Sequence, residues 1–310
     1  RIATIDIFAA FFILMMYYYM FQYFQKDGAY RCGSLTANNI TSVILSPSDK
    51  FPPPEVYTPL ALSGISMAFA IATKWTGVYA GAGLALLFLW YTITHFPKKQ
   101  TFRLFLFCCL FFIAIPLVIY TLCFIPVVGY TQYDNLIDKT IQGTLSMFDY
   151  HYNLEAEHYY SSPIWMPLLD ANDAVSAAKV SSVSCMGNPV IWWAGIPCVL
   201  YVFLCWIFKR DKKAGFLVIA YLAQYLPWMP IKRITFIYHY FPAILFVILM
   251  MGYTMRDMKN RFSWGKKAIT IYLVTAVICF FIFFPVISGL PVSMEYGLRL
   301  RWLKDWILVL

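Results

Sequence analysis

The 310-residue chain is 61% hydrophobic and 13% charged, with mean hydropathy +0.66 and a formal net charge of +9. A soluble domain typically carries about a quarter charged residues, so too little polar surface exists to cover a water-exposed globule, and a soluble protein is excluded. Short basic loops facing anionic lipid account for the positive balance, so nucleic acid is not an implied partner. The chain starts at Arg1 and enters an apolar run at once, without the pattern of a signal peptide. An N-terminal portion is therefore expected to precede it. Of eight cysteines, six (Cys108, Cys109, Cys123, Cys198, Cys205, Cys279) lie in apolar runs and none forms a CxxC pair. Neither a zinc site nor a disulfide framework is expected.

A hydrocarbon core of ~30 Å takes about 20 apolar residues of helix. In chain order the runs 2–23, 58–75, 76–96, 104–127, 189–208, 215–231, 234–253 and 268–290 qualify or nearly qualify. The expected fold is all-α: a polytopic transmembrane helical bundle of about eight spans, forming a single domain over 1–310. The second and third runs are contiguous and together reach roughly 58 Å at 1.5 Å per residue. That is too long for one crossing and suits a hairpin turning near Lys74-Trp75-Thr76-Gly77. Lys and Arg accumulate on the cytoplasmic side. The loops 97–103, 209–213 and 256–267 are the richest in them and alternate with the rest, as eight crossings demand. Arg1, the Lys74 turn, the loop 128–188, the Lys232-Arg233 turn and the C-terminal tail then face outward, and 25–57 faces the cytoplasm. Within the outer loop, Leu136, Ile137, Ile141, Leu145 and Phe148 recur at helical spacing between charged residues. They predict an amphipathic helix lying on the membrane face.

Exceptions to the charge rule mark candidate sites. Lys74 and the Lys232-Arg233 pair sit at outer turns, Arg1 at the outer edge of the first span, and Asp6 one to two turns into it. Ionisable groups at bilayer level are costly and usually kept for function. Outward cations there suit a lipid phosphate, although each alone could snorkel to headgroups. Asp6 is expected to form a salt bridge with one of them. In the outer loop, His151, Glu155, Glu157 and His158 match no strong metal-ligand spacing, so no metal is expected. His158-Tyr159-Tyr160-Ser161-Ser162-Pro163-Ile164-Trp165 offers rings and hydroxyls suited to sugar or peptide, or to an interfacial belt. Asn39-Ile40-Thr41 is a sequon by pattern only and faces the cytoplasm in this topology.

These same stretches carry a family likeness. Arg1 to Asp6, Ala72 to Tyr79 (ATKWTGVY), His158 to Trp165, Met186-Gly187-Asn188-Pro189 with Trp192-Trp193, and Arg233 to Pro242 (RITFIYHYFP) together resemble the bacterial protein O-mannosyltransferases. Those are polyprenyl-phosphate-mannose-dependent enzymes of the type C membrane glycosyltransferase fold. Arg301-Trp302 and Trp306 are similar to that family's outward tail. The likeness runs from end to end, with short motifs whose order is fairly specific, and it aligns this chain with the later spans of such enzymes. It implies an enzyme of the cell membrane that moves mannose from a lipid phosphate to Ser or Thr hydroxyls of exported proteins, with inversion. The implied partners are membrane lipid, the lipid-linked donor, secreted or membrane acceptor proteins and the export translocon, with no cofactor.

The resemblance also divides the roles. The family's acidic Asp-Glu motif has no counterpart after Arg1, so no catalytic base is assigned and the fragment alone is expected to be inactive. Lys74 and Arg233, with Arg1, are implied to stabilise the leaving phosphate. Asp6, Tyr238 and His239 support them, and His158, Tyr159, Ser162 and Trp165 shape the acceptor or sugar side. Two alternatives stay open: a fold relative moving another sugar to lipid or glycan, and a secondary transporter. Against the transporter stand the absence of paired halves and the gathering of charge at the outer rim.

Overall fold

A computed structural model describes residues 5–31, 53–95, 98–129, 135–154, 173–177, 181–230, 235–303 and 306. Arg1, His158, Tyr159, Ser162, Trp165 and Arg233 lie outside the described residues. Among the described residues, seven helices are long and apolar enough to cross a membrane. The chain divides into two compact units, the first covering Ile5–Tyr150 and the second beginning at His151.

In the first unit, α1 (Asp6–Arg31), α2 (Pro54–Thr73) and α3 (Thr76–His95) form the packed core. Pro54 opens α2, where a missing N–H costs nothing. Two hydroxyls interlock the three helices: Ser63 donates to the Met16 carbonyl (2.7 Å) and Tyr17 to the Ala80 carbonyl (2.8 Å). A fourth span, Phe102–Val128, is almost wholly unburied within the unit, as a lipid-facing helix would be. It comprises the end of α4 (Lys98–Cys109), a π-helical turn (Leu110–Ala114), α5 (Ile115–Leu122) and α6 (Ile125–Val128). Pro116 follows the π turn closely and cannot donate to the carbonyl four residues back, which gives the local irregularity a cause. The π turn packs on Gly64, where a Cβ would come within 2.4 Å of the Phe111 carbonyl oxygen. The amphipathic α7 (Leu136–Tyr152) then follows, with none of its residues buried.

The second unit opens with a short antiparallel ribbon, β1 (Asp173–Ala177) and β2 (Ser181–Cys185), which the helical expectation did not contain. Next come α8 (Pro189–Lys209), α9 (Lys212–Tyr225), α10 (Phe241–Arg261), α11 (Gly265–Ser288) and α12 (Met294–Leu300). Where one span over 215–231 was expected, the described residues form the 14-residue α9 and a 3₁₀ turn over Leu226–Trp228, broken where Pro227 removes a backbone donor. Asp211 caps α9, accepting from the Lys213 N–H (2.7 Å), the Ala214 N–H (3.1 Å) and the Tyr253 hydroxyl (2.8 Å). Burial pushes its carboxyl up, but those three donors outweigh it and hold the group below the usual carboxylate range. A satellite core gathers Cys279, Phe283 and Val286 of α11 with Leu300 and Trp306.

Candidate functional site

The turn between α2 and α3 presents Lys74. Its backbone is extended (φ −158, ψ 140), yet its N–H still reaches the Ala70 carbonyl at 2.9 Å. Its own carbonyl accepts from Gly77 N–H and that of Trp75 accepts from Val78 N–H, both at 2.9 Å. The turn is tight because residue 77 is glycine: a Cβ there would meet the Ala70 carbonyl carbon and the Ile71 nitrogen at 2.6 Å. The Lys74 ammonium is ion-paired with Asp6, and their side chains keep 21% and 10% exposure respectively. Asp6 lies in the first turn of α1, where the helix dipole favours an anion. The structure therefore brings together two of the residues singled out by their unusual position. What results is a cation held at a fixed place on the rim of the bundle, part-exposed, with its countercharge on one side.

Next to Lys74, the Trp75 indole N–H donates to the Tyr120 hydroxyl of α5 (3.2 Å), which lies 3.0 Å from the Thr144 hydroxyl of α7. Thr144 also contacts the Thr140 carbonyl at 2.6 Å. Sequence reasoning missed Tyr120 and Thr144. Neither is unusual for its surroundings, and only their contacts reveal them.

The second unit holds the other conspicuous stretch. Residues Ile237–Tyr240 form a 3₁₀ turn leading into α10. His239 is 4% exposed. Its Nδ1 lies 3.0 Å from the Phe236 nitrogen and 3.1 Å from the Phe236 carbonyl oxygen, so the ring is pinned to the start of its own turn. Its ring stacks on Tyr238 (4.3 Å) and meets the Trp228 edge (4.6 Å). Tyr238 is 39% exposed and Tyr240 is buried beside Tyr221, their hydroxyls 3.3 Å apart. The motif thus builds a rigid aromatic knot in which Tyr238 faces outward and His239 braces it. Asn188 does two jobs: its Oδ1 caps α8, accepting from Val190 and Ile191, and its Nδ2 donates to the Ala276 carbonyl of α11 at 2.8 Å. Gly187 is bare because Trp192 lies against it, its Nε1 only 1.8 Å from where a Cβ would stand. Trp302 and Trp306 stack on each other, with Trp193 tilted against both and the edge of Phe283 against Trp302.

A further cluster went unread in the sequence. Asp27, fully buried on α1, accepts from Arg31 Nε (2.6 Å) and the Tyr91 hydroxyl (2.8 Å). Its Oδ1 and the Tyr23 hydroxyl are buried without a hydrogen-bond partner among the described residues. Among the described residues, no group of three or more His, Cys, Asp or Glu could hold a metal ion.

These features define a polytopic helical membrane protein with a buttressed cation at a hairpin turn and an aromatic knot before its penultimate long helix. Residues 136–306 match the family described as the C-terminal four TMM region of protein-O-mannosyltransferase. The chain belongs to that family. It is 26% identical over 197 residues to dolichyl-phosphate-mannose–protein mannosyltransferase 1 of Saccharomyces cerevisiae, covering 56% of this chain and 24% of that protein. It is 24% identical over 187 residues to a polyprenol-phosphate-mannose–protein mannosyltransferase of Mycobacterium tuberculosis, covering 53% of this chain and 36% of that one. The chain thus spans a quarter to a third of the length of these relatives. Among solved structures, the S. cerevisiae protein O-mannosyltransferase Pmt1-Pmt2 complex bound to the sugar donor shares the fold, with TM-score 0.51 and 23% identity over 56% of this chain and 27% of that one.

Proposed function

We propose that this chain serves the transfer of mannose from a polyprenyl-phosphate-mannose donor to Ser or Thr hydroxyls of secreted or membrane proteins, at the outer face of the plasma membrane. The acceptor oxygen bonds to the anomeric carbon as the bond from that carbon to the phosphate oxygen breaks, inverting the centre. The acceptor proton goes to a base that no residue of this chain is assigned to provide. The share of the chemistry given to this chain is the leaving group. Negative charge grows on the departing lipid phosphate, and a cation fixed in advance lowers the barrier without reorganising.

The observation that carries this reading is the Asp6–Lys74 pair at the hairpin turn of a chain belonging to this family. A lysine merely snorkelling to headgroups needs no carboxylate from a neighbouring helix to hold it. From the resemblance, Arg233 and Arg1 are also proposed to bind donor phosphate. Tyr238, braced by His239, is proposed as a supporting residue, and His158, Tyr159, Ser162 and Trp165 are proposed to shape the acceptor or sugar side. The test uses the full-length protein in membranes with polyprenyl-phosphate-mannose and a Ser/Thr peptide. Lys74→Ala and Arg233→Ala each lower turnover at least ~10-fold, about 1.4 kcal/mol of barrier. Unchanged turnover in both variants sinks the phosphate site.

A further inference from the structure

The contacts running from Trp75 to α7 have a single consistent proton arrangement. A hydroxyl has one proton to give. Thr144 spends its proton on the Thr140 carbonyl at 2.6 Å, so in the 3.0 Å contact with Tyr120 the tyrosine must donate. The Tyr120 oxygen in turn accepts the Trp75 indole N–H at 3.2 Å. Indole can only donate, so the chain of bonds runs one way, from the turn residue beside Lys74, through α5, into the backbone of α7. Hydrogen bonds aligned head to tail polarise and strengthen one another.

The far end of this chain of bonds is a helix with an exposed apolar face. Gly143 of α7 lies against Phe124, where a Cβ would come within 2.9 Å of the ring, so the side carrying Thr140, Gly143 and Thr144 is seated on the end of the fourth span. Beside that seat, Ile137, Ile141 and Leu145 form a stripe at helical spacing and are each at least half exposed. Its occupant is the bilayer interface. The span beneath presents almost no buried surface and ends at Val128, only a short connection before α7 begins at Leu136. A helix tethered there with an apolar stripe lies where headgroups meet acyl chains.

We propose that Trp75 and Tyr120 are positioning residues that couple the seating of α7 in the membrane interface to the position of the Lys74 turn. The coupling rests on the reading of Lys74 as a phosphate-binding cation. It makes the height of the ammonium depend on α7 being docked in lipid, so the cation is set at the level where a lipid phosphate lies.

The test takes the full-length protein in lipid nanodiscs with its tryptophan indoles labelled with 15N, the Trp75 resonance being assigned by its loss in Trp75→Phe. Tyr120→Phe keeps the ring and deletes both bonds. It shifts the Trp75 resonance and weakens binding of polyprenyl phosphate about fivefold, as loss of one net hydrogen bond does. Thr144→Val does the same, and Thr144→Ser restores both. The double variant Ile141→Ser/Leu145→Ser touches no bond of the chain, yet moves the same resonance and weakens phosphate binding. A stripe variant that leaves the Trp75 resonance in place overturns the coupling, as does a Tyr120→Phe that moves the resonance at unchanged phosphate affinity. If the unaltered protein binds no polyprenyl phosphate while the stripe variant still moves the resonance, the phosphate reading fails and the mechanical link stands.

Discussion

Asp6 at the start of α1 and Lys74 in the turn after α2 meet at the rim of the first unit, so each makes the other tolerable at bilayer level. Removing one partner of a buried pair costs about 3–5 kcal/mol, and the part-exposure of Lys74 brings this nearer 2 kcal/mol. Asp6→Asn is therefore expected to lower the thermal unfolding midpoint in detergent. Adding Lys74→Met recovers much of the loss, because the stranded ammonium is gone. Strict additivity in that double-mutant cycle refutes the energetic link. Both residues were conspicuous in the sequence as ions within apolar runs. Asp27 was not, because Lys26 and Arg31 flank it and the segment reads as a polar loop. The helix continues through it because Arg31 and Tyr91 satisfy one carboxylate oxygen. The signal available was the spacing Tyr23, Asp27, Arg31, one helical face at successive turns. Tyr120 offered no such signal, since a tyrosine near the end of an apolar run is what any interfacial belt would show.

Helices here meet through glycine and small hydroxyl residues, as expected where lipid removes the hydrophobic drive between spans. Gly64 is the sharpest instance, because the atom in the way of a Cβ is the Phe111 carbonyl oxygen, which cannot swing aside. Gly64→Ala should push the π turn off α2 and destabilise the first unit by roughly 1–3 kcal/mol, read as a lower unfolding midpoint. An unchanged midpoint would mean that the two helices are not in contact there. The start of α9 is governed differently, by charge. The Asp211 carboxyl is depressed in the folded state by Tyr253 and two backbone donors, so its contribution is complete above the usual carboxylate range. That contribution drains away as pH falls through the folded value. Asp211→Ala should cost about 1 kcal/mol near neutrality and progressively less below about pH 4. A penalty constant down to pH 3 would mean the charge contributes nothing. An Asp before an apolar run is an ordinary capping signal, but nothing local points to Tyr253, over forty residues away.

At the scale of the whole molecule, membrane topology turns on one element. Expecting about eight spans rested on apolar length, and the helix breaks fall where length arithmetic and proline demand them. The ribbon β1–β2 was not legible, because its ten residues, mostly Ser, Ala and Val, carry no distinctive period. α9 is the ambiguous case: at 14 residues it is too short to count among the seven long apolar helices. Yet 14 α-helical residues rise about 21 Å, and the three-residue 3₁₀ turn adds about 6 Å, which nearly fills a core of ~30 Å. It is also among the more buried helices of its unit, as an internal crossing would be. If α9 crosses, the loop before it (Lys209 to Lys213) and the loop between α10 and α11 lie on the same side. The basic residues of both then obey the positive-inside rule together. If it does not cross, one of these two loops must carry its cations outward. Single cysteines replacing Lys213 and Lys266, in a background without the native cysteines, separate the two cases. With α9 as a crossing, a membrane-impermeant maleimide labels both in inverted vesicles and neither in intact cells. Labelling of one from each side makes α9 a re-entrant helix and reverses the orientation of α10 and α11.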